Sequence, residues 1–423
     1  MAFLWSIIYN IIVIPLLWVA FNVAGFFNDK IQRGLEGRKH LHGTLSAKLS
    51  NRGNAKTVWI HVASLGEFEQ AKPIIEALKK QFPSVYVFVS FFSPSGLDYA
   101  LDYKPADAVA YLPFDSYFAA QKFVRLVHPS VAIFVRYDLW LNHLRALHTH
   151  NVPTLLVCAS AQNFAKKNFL VRSFNRNAFK NFTGVLCVTE NDATIYEKSL
   201  DSAIPVTIAG DTKYDRVIGR AQEAKDQPVL MNKITADKFV LVAGSTWSED
   251  ENILLPAIQQ LAQAHGGKFL CILAPHEPTP EHLTPLESEM KCCRLSGIDL
   301  YNNESILLVD SVGKLFSLYQ YADVVYIGGG FKQGVHNVLE PAVFGVPVLC
   351  GPQIENAREA QELVKSGGGH VVQSTDEIID YCNEAMSDPA FAATEGSRSK
   401  HFVEAHGGAT KKIVTALTEM KLF

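Results

Sequence analysis

The chain has 423 residues, of which 48% are hydrophobic and 19% charged, the balance of an ordinary globular protein with room for two or three domains. Its formal net charge of −3 lacks the basic excess that marks nucleic-acid-binding proteins, so we expect no nucleic-acid partner. The seven cysteines form no C-x-x-C pair, which predicts free thiols in a reducing compartment rather than a zinc site or a disulfide framework.

The N-terminal segment 3–27 departs from this average, because it contains no charged side chain and is long enough to cross a bilayer. Nothing basic precedes Lys30, which favours an uncleaved anchor over a cleaved signal peptide. The basic residues that follow predict that the globular body stays on the cytoplasmic side. Two geometries remain open: a helix that spans the membrane, and a helix that lies in its interface with Trp5 and Trp18 at headgroup depth.

From residue 57 onward the chain repeats a short β-branched run, a turn and a segment of helical period. This alternation predicts an α/β fold with parallel sheets and helical crossovers. The candidate strands of the first half are TVWIHV, VYVFVS, AVAYLP, VAIFV, TLLVC, GVLCV and VTIAG, and those of the second half are FVLVAG, KFLCILA, SILLVD, DVVYIGGG, VPVLCG and HVVQ.

Two doubly wound, Rossmann-like halves explain this pattern economically. We predict a membrane anchor over 1–29, an N-terminal Rossmann-like domain over 30–218, a polar linker over 219–238, a C-terminal Rossmann-like domain over 239–405 and a C-terminal helix over 406–423. Ligands of such sheets bind at the carboxyl ends of the strands, so loops that follow strands in both halves are expected to face a cleft between them.

A glycine triplet, 328–330, follows one strand of the second half and leads toward a predicted helix that begins near His336 or Asn337. Free amides at a helix start favour an anion, and the absent Cβ atoms let a phosphate approach closely. His336, Asn337 and Glu340 would share one face of that helix, with Glu340 accepting two hydroxyl hydrogen bonds from a ribose. A plain tight turn for the glycines and a solvated helix position for Glu340 are the structural alternatives.

The stretch HVASLGEFEQAKPII, residues 61–75, leads from a strand into an amphipathic segment. Ser64 and Glu67 fit the S-x-x-E capping box, which is a purely structural interpretation. Proline is tolerated mainly in the first turn of a helix, so Pro73 predicts a helix that begins between Glu69 and Lys72. Glu67 would then lie ahead of the helix in the loop, where it can act as a general base, and a cap made by Ser64 remains compatible with that role.

Several of these stretches together resemble the 3-deoxy-D-manno-octulosonic acid (Kdo) transferases of lipopolysaccharide biosynthesis. The stretches are HVASLGEFEQAKPI, GDTKYD, AGSTWSEDE, APHEP and GGGFKQGVHNVLEPAVFGVPVLCGP. The resemblance covers nearly the whole chain and implies a GT-B glycosyltransferase, with 30–218 as the acceptor domain and 239–405 as the nucleotide-sugar donor domain. It further implies a CMP-Kdo donor, a lipid A precursor (lipid IVA) as acceptor at the cytoplasmic face of the inner membrane, inversion at the anomeric carbon, and neither a metal nor a cofactor.

The resemblance also implies roles for individual residues. Glu67 matches the catalytic glutamate of the family by its place in SLGEF. On the donor side the matching positions are Ser245, Thr246, His276, Gly329, Gly330, Asn337, Glu340 and Asn356.

One stretch departs from the family pattern. Many members have E-T-E-L-W after the fourth strand, whereas this chain has R-Y-D-L-W at residues 136–140. Asp138 retains a shorter acid with a supporting role. Arg136 replaces an acid by a cation, and we hypothesise that its guanidinium pairs with the Kdo carboxylate or with a phosphate of lipid A.

Two other functions compete with this interpretation. The first is another GT-B enzyme, either a UDP-sugar glycosyltransferase or a sugar-nucleotide epimerase, because the fold and a ribose-binding glutamate would be shared. An assay that compares CMP-Kdo with UDP-hexoses as donors distinguishes such an enzyme from a Kdo transferase. The second is a membrane-tethered nucleotide-binding module without catalysis, for which Glu67→Gln would change nothing measurable.

Overall fold

The computed structural model describes residues 2–161, 169–200 and 204–422. The chain divides into two compact units: unit 1 comprises Met1–Arg216 with Gly407–Phe423, and unit 2 comprises Val217–His406. Each has its own parallel sheet covered by helices, so the predicted α/β class with two doubly wound sheets is confirmed.

The N-terminal apolar segment forms helix α1 (Ala2–Ile8), a π-helical turn (Tyr9–Val13) and helix α2 (Ile14–Gly25). Within it, the 22 residues Leu4–Gly25 are long and apolar enough to cross a membrane. Helices α3 (Asp29–Lys39) and α4 (Leu41–Leu49) lead from it to the first strand. The side chain of Asn28 caps α3 by accepting a hydrogen bond from the Ile31 amide.

In the described part of unit 1, seven parallel strands pair in the order β3-β2-β1-β4-β5-β6-β7. Every residue of β1 is buried, as expected for a central strand covered on both faces. The strands are β1 (Thr57–Val62), β2 (Tyr86–Phe91), β3 (Ala108–Tyr111), β4 (Val131–Val135), β5 (Thr154–Ala159), β6 (Gly184–Cys187) and β7 (Val206–Ile208). The helices are α5 (Leu65–Gln81), α6 (Pro94–Ala100), α7 (Tyr117–Val127), α8 (Leu141–Thr149), α9 (Phe169–Phe179), α10 (Glu190–Ser199) and α11 (Thr212–Asp226).

Unit 2 has a second parallel sheet, in the order β10-β11-β9-β8-β12-β13-β14. Its strands are β8 (Phe239–Thr246), β9 (Phe269–Pro275), β10 (Cys293–Arg294), β11 (Ile306–Leu308), β12 (Val324–Ile327), β13 (Val348–Cys350) and β14 (Gly369–Val371). Its helices are α12 (Asn232–Thr235), α13 (Ser248–His265), α14 (Pro280–Glu289), α15 (Leu315–Leu318), α16 (Leu339–Ala342), α17 (Arg358–Lys365), α18 (Thr375–Ser387) and α19 (Pro389–Ala405), and the last helix, α20 (Ala409–Glu419), belongs to unit 1.

Each sheet has one point at which the chain reverses the direction in which it adds strands. In unit 1 this point lies between the neighbours β1 and β4, and in unit 2 between β8 and β12. Ligands of open parallel sheets bind beside such a switch point, at the carboxyl ends of the strands. Helices α11 and α12 occupy parts of the stretch 219–238, and the domain limits drawn from the sequence stay predictions.

Candidate functional site

Glu67 lies in the first turn of α5, two residues after its first residue Leu65 and directly beyond β1. The predicted helix start between Glu69 and Lys72 is therefore wrong, and Pro73 lies inside the helix. The helix continues through the proline because its apolar side chains pack in the core under the sheet, and this tertiary packing outweighs the local cost of the proline.

The carboxylate of Glu67 does act as a cap. Its Oε2 accepts hydrogen bonds from the amides of Ala63, at 2.5 Å, and Ser64, at 3.1 Å. Both bonds use the same oxygen, and no described residue donates a hydrogen bond to Oε1. The capping interpretation is thus compatible with catalysis, because the second oxygen is left for a substrate proton.

The pKa of the Glu67 carboxyl is unusually high for a glutamate. Only 5% of the residue is exposed, and burial raises its pKa from 4.5 to about 7, with the nearby Asp138 carboxylate as the next cause. The two amide hydrogen bonds and the Arg136 guanidinium oppose this shift. A carboxylate whose pKa lies near neutral pH is well matched to taking a proton from a hydroxyl group.

Asp138 lies beside a buried histidine that the sequence interpretation had not singled out. Its Oδ2 is 3.2 Å from Nε2 of His61, and His61 is fully buried. The same Nε2 faces the indole N–H of Trp140 at 2.9 Å, while Nδ1 lies 2.9 Å from the Ser90 hydroxyl. Because Trp140 can only donate, Nε2 must accept, and the ring proton resides on Nδ1.

This arrangement leaves Oδ2 of Asp138 buried without a hydrogen-bond donor among the described residues. A carboxylate held in this way contributes a negative field rather than a fixed hydrogen bond. This negative charge helps to raise the pKa of the neighbouring Glu67, and the supporting role of Asp138 in catalysis stays a prediction.

Arg136 follows β4 with φ = 70°, in the left-handed region that a non-glycine residue rarely adopts. Its buried Nε has no hydrogen-bond partner among the described residues, and its guanidinium lies 5.8 Å from the ring of Tyr137. Strained backbone and an unsatisfied buried donor cluster at ligand-binding positions. Arg136, Asp138 and Glu67 thus meet at the switch point between β1 and β4.

An aromatic layer connects these groups to the N-terminal helix. Trp140 stacks on Phe92, which follows β2, with ring centroids 4.8 Å apart. Phe21 of α2 contacts Phe92 and Phe114 edge-on, at 5.6 Å in each case. The Arg38 guanidinium covers both of these phenylalanines and donates to the carbonyl of Phe92.

Polar contacts fix the other end of the apolar segment to unit 1. The Tyr9 hydroxyl donates to the buried Asp115 carboxylate at 2.8 Å. The side-chain amides of Asn10 and Asn142 bond to each other in both directions, at 2.9 and 3.2 Å. Phe21 is held as well, so unit 1 contacts the segment at both ends. Most of the segment is exposed and apolar, with Leu4, Ile7, Ile11, Ile12, Leu16, Leu17, Trp18, Val19 and Val23.

The donor-side residues of the sequence interpretation lie at the switch point of unit 2. Ser245 and Thr246 end β8, with Ser245 in the left-handed region at φ = 56°. A Cβ on Gly328, just after β12, would lie 2.2 Å from the Ser245 carbonyl oxygen, and a Cβ on Gly330 would lie 2.5 Å from the Gly351 amide. Close approach of two backbones therefore already requires glycine at 328 and 330.

Asp250 of α13 holds this junction together and was missed by sequence reasoning, although it lies within the quoted AGSTWSEDE. It is fully buried. One oxygen accepts from the amides of Trp247 and Gly329, at 2.9 and 2.8 Å, and the other accepts from the Tyr326 hydroxyl at 2.8 Å. The Gly329 amide is thus already bonded to a carboxylate, which weakens the expectation that it binds a phosphate.

Three rings stack at the same edge of the sheet. His276 lies between Trp247 and His336, with centroid distances of 4.6 and 4.5 Å, and the Trp247 indole N–H donates to His336 Nε2 at 2.8 Å. Burial, and secondly the neighbouring His276, lower the pKa of His336, and the nearby Asp250 opposes this shift. The structure thus brings His276 beside His336 and Trp247, a residue that the sequence interpretation had not singled out.

The predicted helix from His336 or Asn337 is wrong. Helix α16 begins only at Leu339 and has four residues, so His336 and Asn337 lie outside it and do not share a helical face with Glu340. The His336 amide donates instead to the carbonyl of Gly328, which holds the chain in a non-helical path. Such a short helix provides no substantial dipole for a phosphate.

Asn337 and Glu340 have structural partners of their own. The Asn337 side chain accepts a hydrogen bond from the Leu339 amide at 3.2 Å, and Glu340 Oε1 accepts from Arg220 at 2.9 Å. Asn356 is exposed in the turn before α17. No group of three or more His, Cys, Asp or Glu side chains in the described part of the chain could hold a metal ion.

Comparison with known proteins shows which proteins the chain resembles. Residues 38–216 match the family model described as 3-deoxy-D-manno-octulosonic-acid transferase (kdotransferase). A 3-deoxy-D-manno-octulosonic acid transferase of Haemophilus influenzae is 26% identical over 349 residues, 78% of each chain, and one of Aquifex aeolicus is 26% identical over 337 residues, 78% of this chain and 86% of that one. The chain thus resembles the Kdo transferases, over residues 38–216 by the family model and over most of its length by these relatives.

The chain is thereby similar to glycosyltransferases that are named as Kdo transferases. Its GT-B fold is also that of the UDP-GlcNAc 2-epimerase of Neisseria meningitidis, with a TM-score of 0.63 at 18% identity over 86% of this chain and all of the epimerase. At that identity the likeness concerns the fold and not the activity.

Proposed function

We propose that the chain transfers Kdo from CMP-Kdo to lipid IVA, with inversion, and with Glu67 as the general base. The observation that carries this proposal is the Glu67 carboxyl at the switch point of unit 1, with a pKa raised to about 7. The acceptor hydroxyl oxygen attacks the anomeric carbon of Kdo as the bond to the CMP phosphate breaks. The hydroxyl proton passes to Glu67, and CMP leaves with the bonding electrons.

No metal or cofactor is required by this proposal, because CMP is a leaving group with a single phosphate that polar donors can stabilise. The proposed donor contacts are Ser245, Thr246, His276, Gly330, Asn337, Glu340 and Asn356, with Gly329 supplying shape rather than a free amide. The direct test is an assay of the purified chain with CMP-Kdo and lipid IVA, with UDP-hexoses as alternative donors. Product mass reports the number of Kdo residues added, and the absence of a Kdo adduct would defeat the proposal.

Arg136 and Asp138 are expected to move the pH dependence of transfer in opposite directions. The Asp138 carboxylate raises the pKa of Glu67 and the Arg136 guanidinium lowers it. Asp138→Asn should therefore shift the rise of kcat/KM to lower pH, and Arg136→Gln should shift it to higher pH. Parallel shifts, or none, measured in full pH profiles would contradict the proposed field around Glu67.

A second prediction concerns substrate binding by Arg136. Its Nε, which has no hydrogen-bond partner among the described residues, can donate to a carboxylate or a phosphate. If it binds a substrate anion, Arg136→Gln raises the KM of CMP-Kdo or of lipid IVA, and the substrate affected identifies the anion. Unchanged KM values for both substrates would remove Arg136 from the binding site.

Glu340 is proposed to accept the ribose hydroxyls of CMP, a role for which its carboxylate must be shared with or released by Arg220. Glu340→Gln is expected to weaken CMP binding by about tenfold, since hydrogen bonds to a charged acceptor contribute roughly 1.5–3 kcal/mol. The internal control is 2′,3′-dideoxycytidine monophosphate, whose affinity should not change. Equal losses for both nucleotides in titration calorimetry would mean that Glu340 acts on the fold and not on the ribose.

For the membrane, we propose attachment to the cytoplasmic face of the inner membrane by a helix that lies in the interface. The contacts of Tyr9, Asn10 and Phe21 support this orientation, because they hold the apolar segment against unit 1 at both ends. A spanning orientation would draw the polar groups of unit 1 into hydrocarbon, where unsatisfied polar groups cost several kcal/mol each. The in-plane orientation exposes only the apolar face to lipid.

A further inference from the structure

A basic pocket lies beside α1, away from the Glu67 site. It has a volume of about 240 Å³ and lies between the N-terminal helix and the helices α9 and α10. Four of its lining residues are cations: Arg172, Arg176, Lys180 and Lys198. No carboxylate lines it among the described residues, and Glu197, next to Lys198 in sequence, is not part of the lining.

Two further observations give the pocket the character of a binding site. Asn177 lines it with 8% of its surface exposed, and its buried Nδ2 has no hydrogen-bond partner among the described residues. Arg176 is oriented by a hydrogen bond from its Nε to the Ser199 carbonyl at 3.2 Å, which leaves its terminal N–H groups available. Cations and an unsatisfied amide donor together match a phosphate, which offers only acceptor oxygens.

The surroundings of the pocket specify the kind of phosphate. Trp5 forms one wall, fixed by its indole N–H to Ser173 Oγ at 2.9 Å. The exposed ring of Phe169 also lines the pocket, and the neighbours in sequence of these two aromatic residues, Leu4 and Leu170, are exposed apolar side chains. A basic pocket bordered by an exposed apolar edge and a tryptophan is the arrangement of a protein surface at the headgroup level of a bilayer.

We propose that this pocket binds the phosphate of an anionic glycerophospholipid in the membrane, and so fixes how α1 lies in the interface. None of α1, α9 and α10 carries a residue of the Glu67 cluster, which favours a bilayer lipid over the reacting acceptor. The inference rests on the membrane attachment proposed above. It adds a lipid site to that attachment, one that depends on charge rather than on apolar area.

The experiment measures binding of the full chain to vesicles of phosphatidylcholine with and without phosphatidylglycerol. Wild type is expected to prefer the anionic vesicles. The double variant Arg172→Gln/Arg176→Gln should bind them about 25-fold more weakly, at roughly fivefold per cation near an anionic surface. Arg172→Lys/Arg176→Lys should retain most of the preference. Circular dichroism establishes that each variant is folded, and Lys198→Gln provides an independent, smaller loss.

The matched control removes the same charge elsewhere on unit 1, as Lys80→Gln/Lys104→Gln, two exposed lysines outside the pocket. An equal loss in this control would mean that net charge alone acts, and the pocket proposal would fail. A variant at 172 and 176 that binds like wild type overturns it too, as does a raised KM for detergent-dispersed lipid IVA without any loss of vesicle binding, which would assign the pocket to the acceptor. Wild type that binds no vesicle overturns the membrane attachment itself.

Discussion

Glu67→Gln is expected to reduce kcat for Kdo transfer by roughly 10²–10⁴-fold, the usual effect of removing a positioned general base. The glutamine carbonyl can still accept the amide hydrogen bonds of Ala63 and Ser64, so the first turn of α5 should stay intact. The measurement is single-turnover transfer with saturating CMP-Kdo and lipid IVA, which separates the chemical step from product release.

The matched control is Glu69→Gln, two residues further along the same helix. Glu69 is paired with Arg216 at 2.8 Å and with Lys72 at 2.5 Å, and it faces neither Asp138 nor Arg136. Its variant should keep near-normal kcat. If both variants lose activity alike, or if Glu67→Gln retains it, the general-base assignment falls.

The pH dependence of stability provides a second, independent test of Glu67. Its raised pKa means that the folded chain favours the protonated acid. The stability contributed by Glu67 is therefore fully present below about pH 4.5 and is lost as the pH rises through about 7. Glutamine cannot ionise, so Glu67→Gln should exceed wild type in stability by up to about 3 kcal/mol at about pH 8 and match it in acid. A cap needed only for folding predicts the reverse, a less stable variant.

Thirteen of the fourteen strands in the described sheets overlap a stretch predicted from the sequence, and the two-residue edge strand β10 was missed. TVWIHV and VAIFV coincide with β1 and β4. Such strands can be recognised in the sequence because both faces of a central parallel strand are buried, which requires a continuous run of β-branched and apolar residues. The positions of the proposed catalytic and donor loops followed from the strands, since loops after neighbouring parallel strands meet at one edge.

Two helix starts could not be predicted, because distant contacts determine them. At α5, Pro73 is accommodated by the burial of Phe68, Ile74 and Leu78 in the core. At His336, stacking on His276 and a hydrogen bond to the Gly328 carbonyl keep the chain extended where spacing alone favoured a helix. Local pattern carries no information about either contact.

His61 and Asp250 were missed in the sequence for the same reason, because their partners are distant in sequence. His61 acts through Asp138 and Trp140, which are more than seventy residues away in sequence. Asp250 accepts from Tyr326 and Gly329, again from a different strand and its loop. Both residues lie within or next to stretches that carry the family resemblance. Their chemistry becomes visible only when the sheet brings those stretches together.

Asp250→Ala is expected to be the most damaging change in unit 2. It leaves three buried donors without an acceptor: the Tyr326 hydroxyl and the amides of Trp247 and Gly329. Each unsatisfied buried donor costs about 1–3 kcal/mol, so we expect a loss of at least about 3 kcal/mol in the free energy of unfolding. Asp250→Asn should lie between this variant and wild type, because its amide retains one acceptor oxygen and presents N–H groups to the remaining donors.

The same change should weaken CMP binding by about tenfold or more, equivalent to roughly 1.4 kcal/mol. The reason is that Asp250 joins the Trp247 amide to the Gly329 amide, and so sets the distance between the two loops that carry the proposed donor contacts. The control is Glu249→Gln on the same turn of α13, a partly exposed residue paired with Lys332 at 2.5 Å, which should change neither quantity appreciably. Calorimetric titration with CMP at a temperature where the variant remains folded separates binding from stability. A stability loss with wild-type affinity for CMP would make Asp250 a purely structural residue and would place the donor nucleotide elsewhere in unit 2.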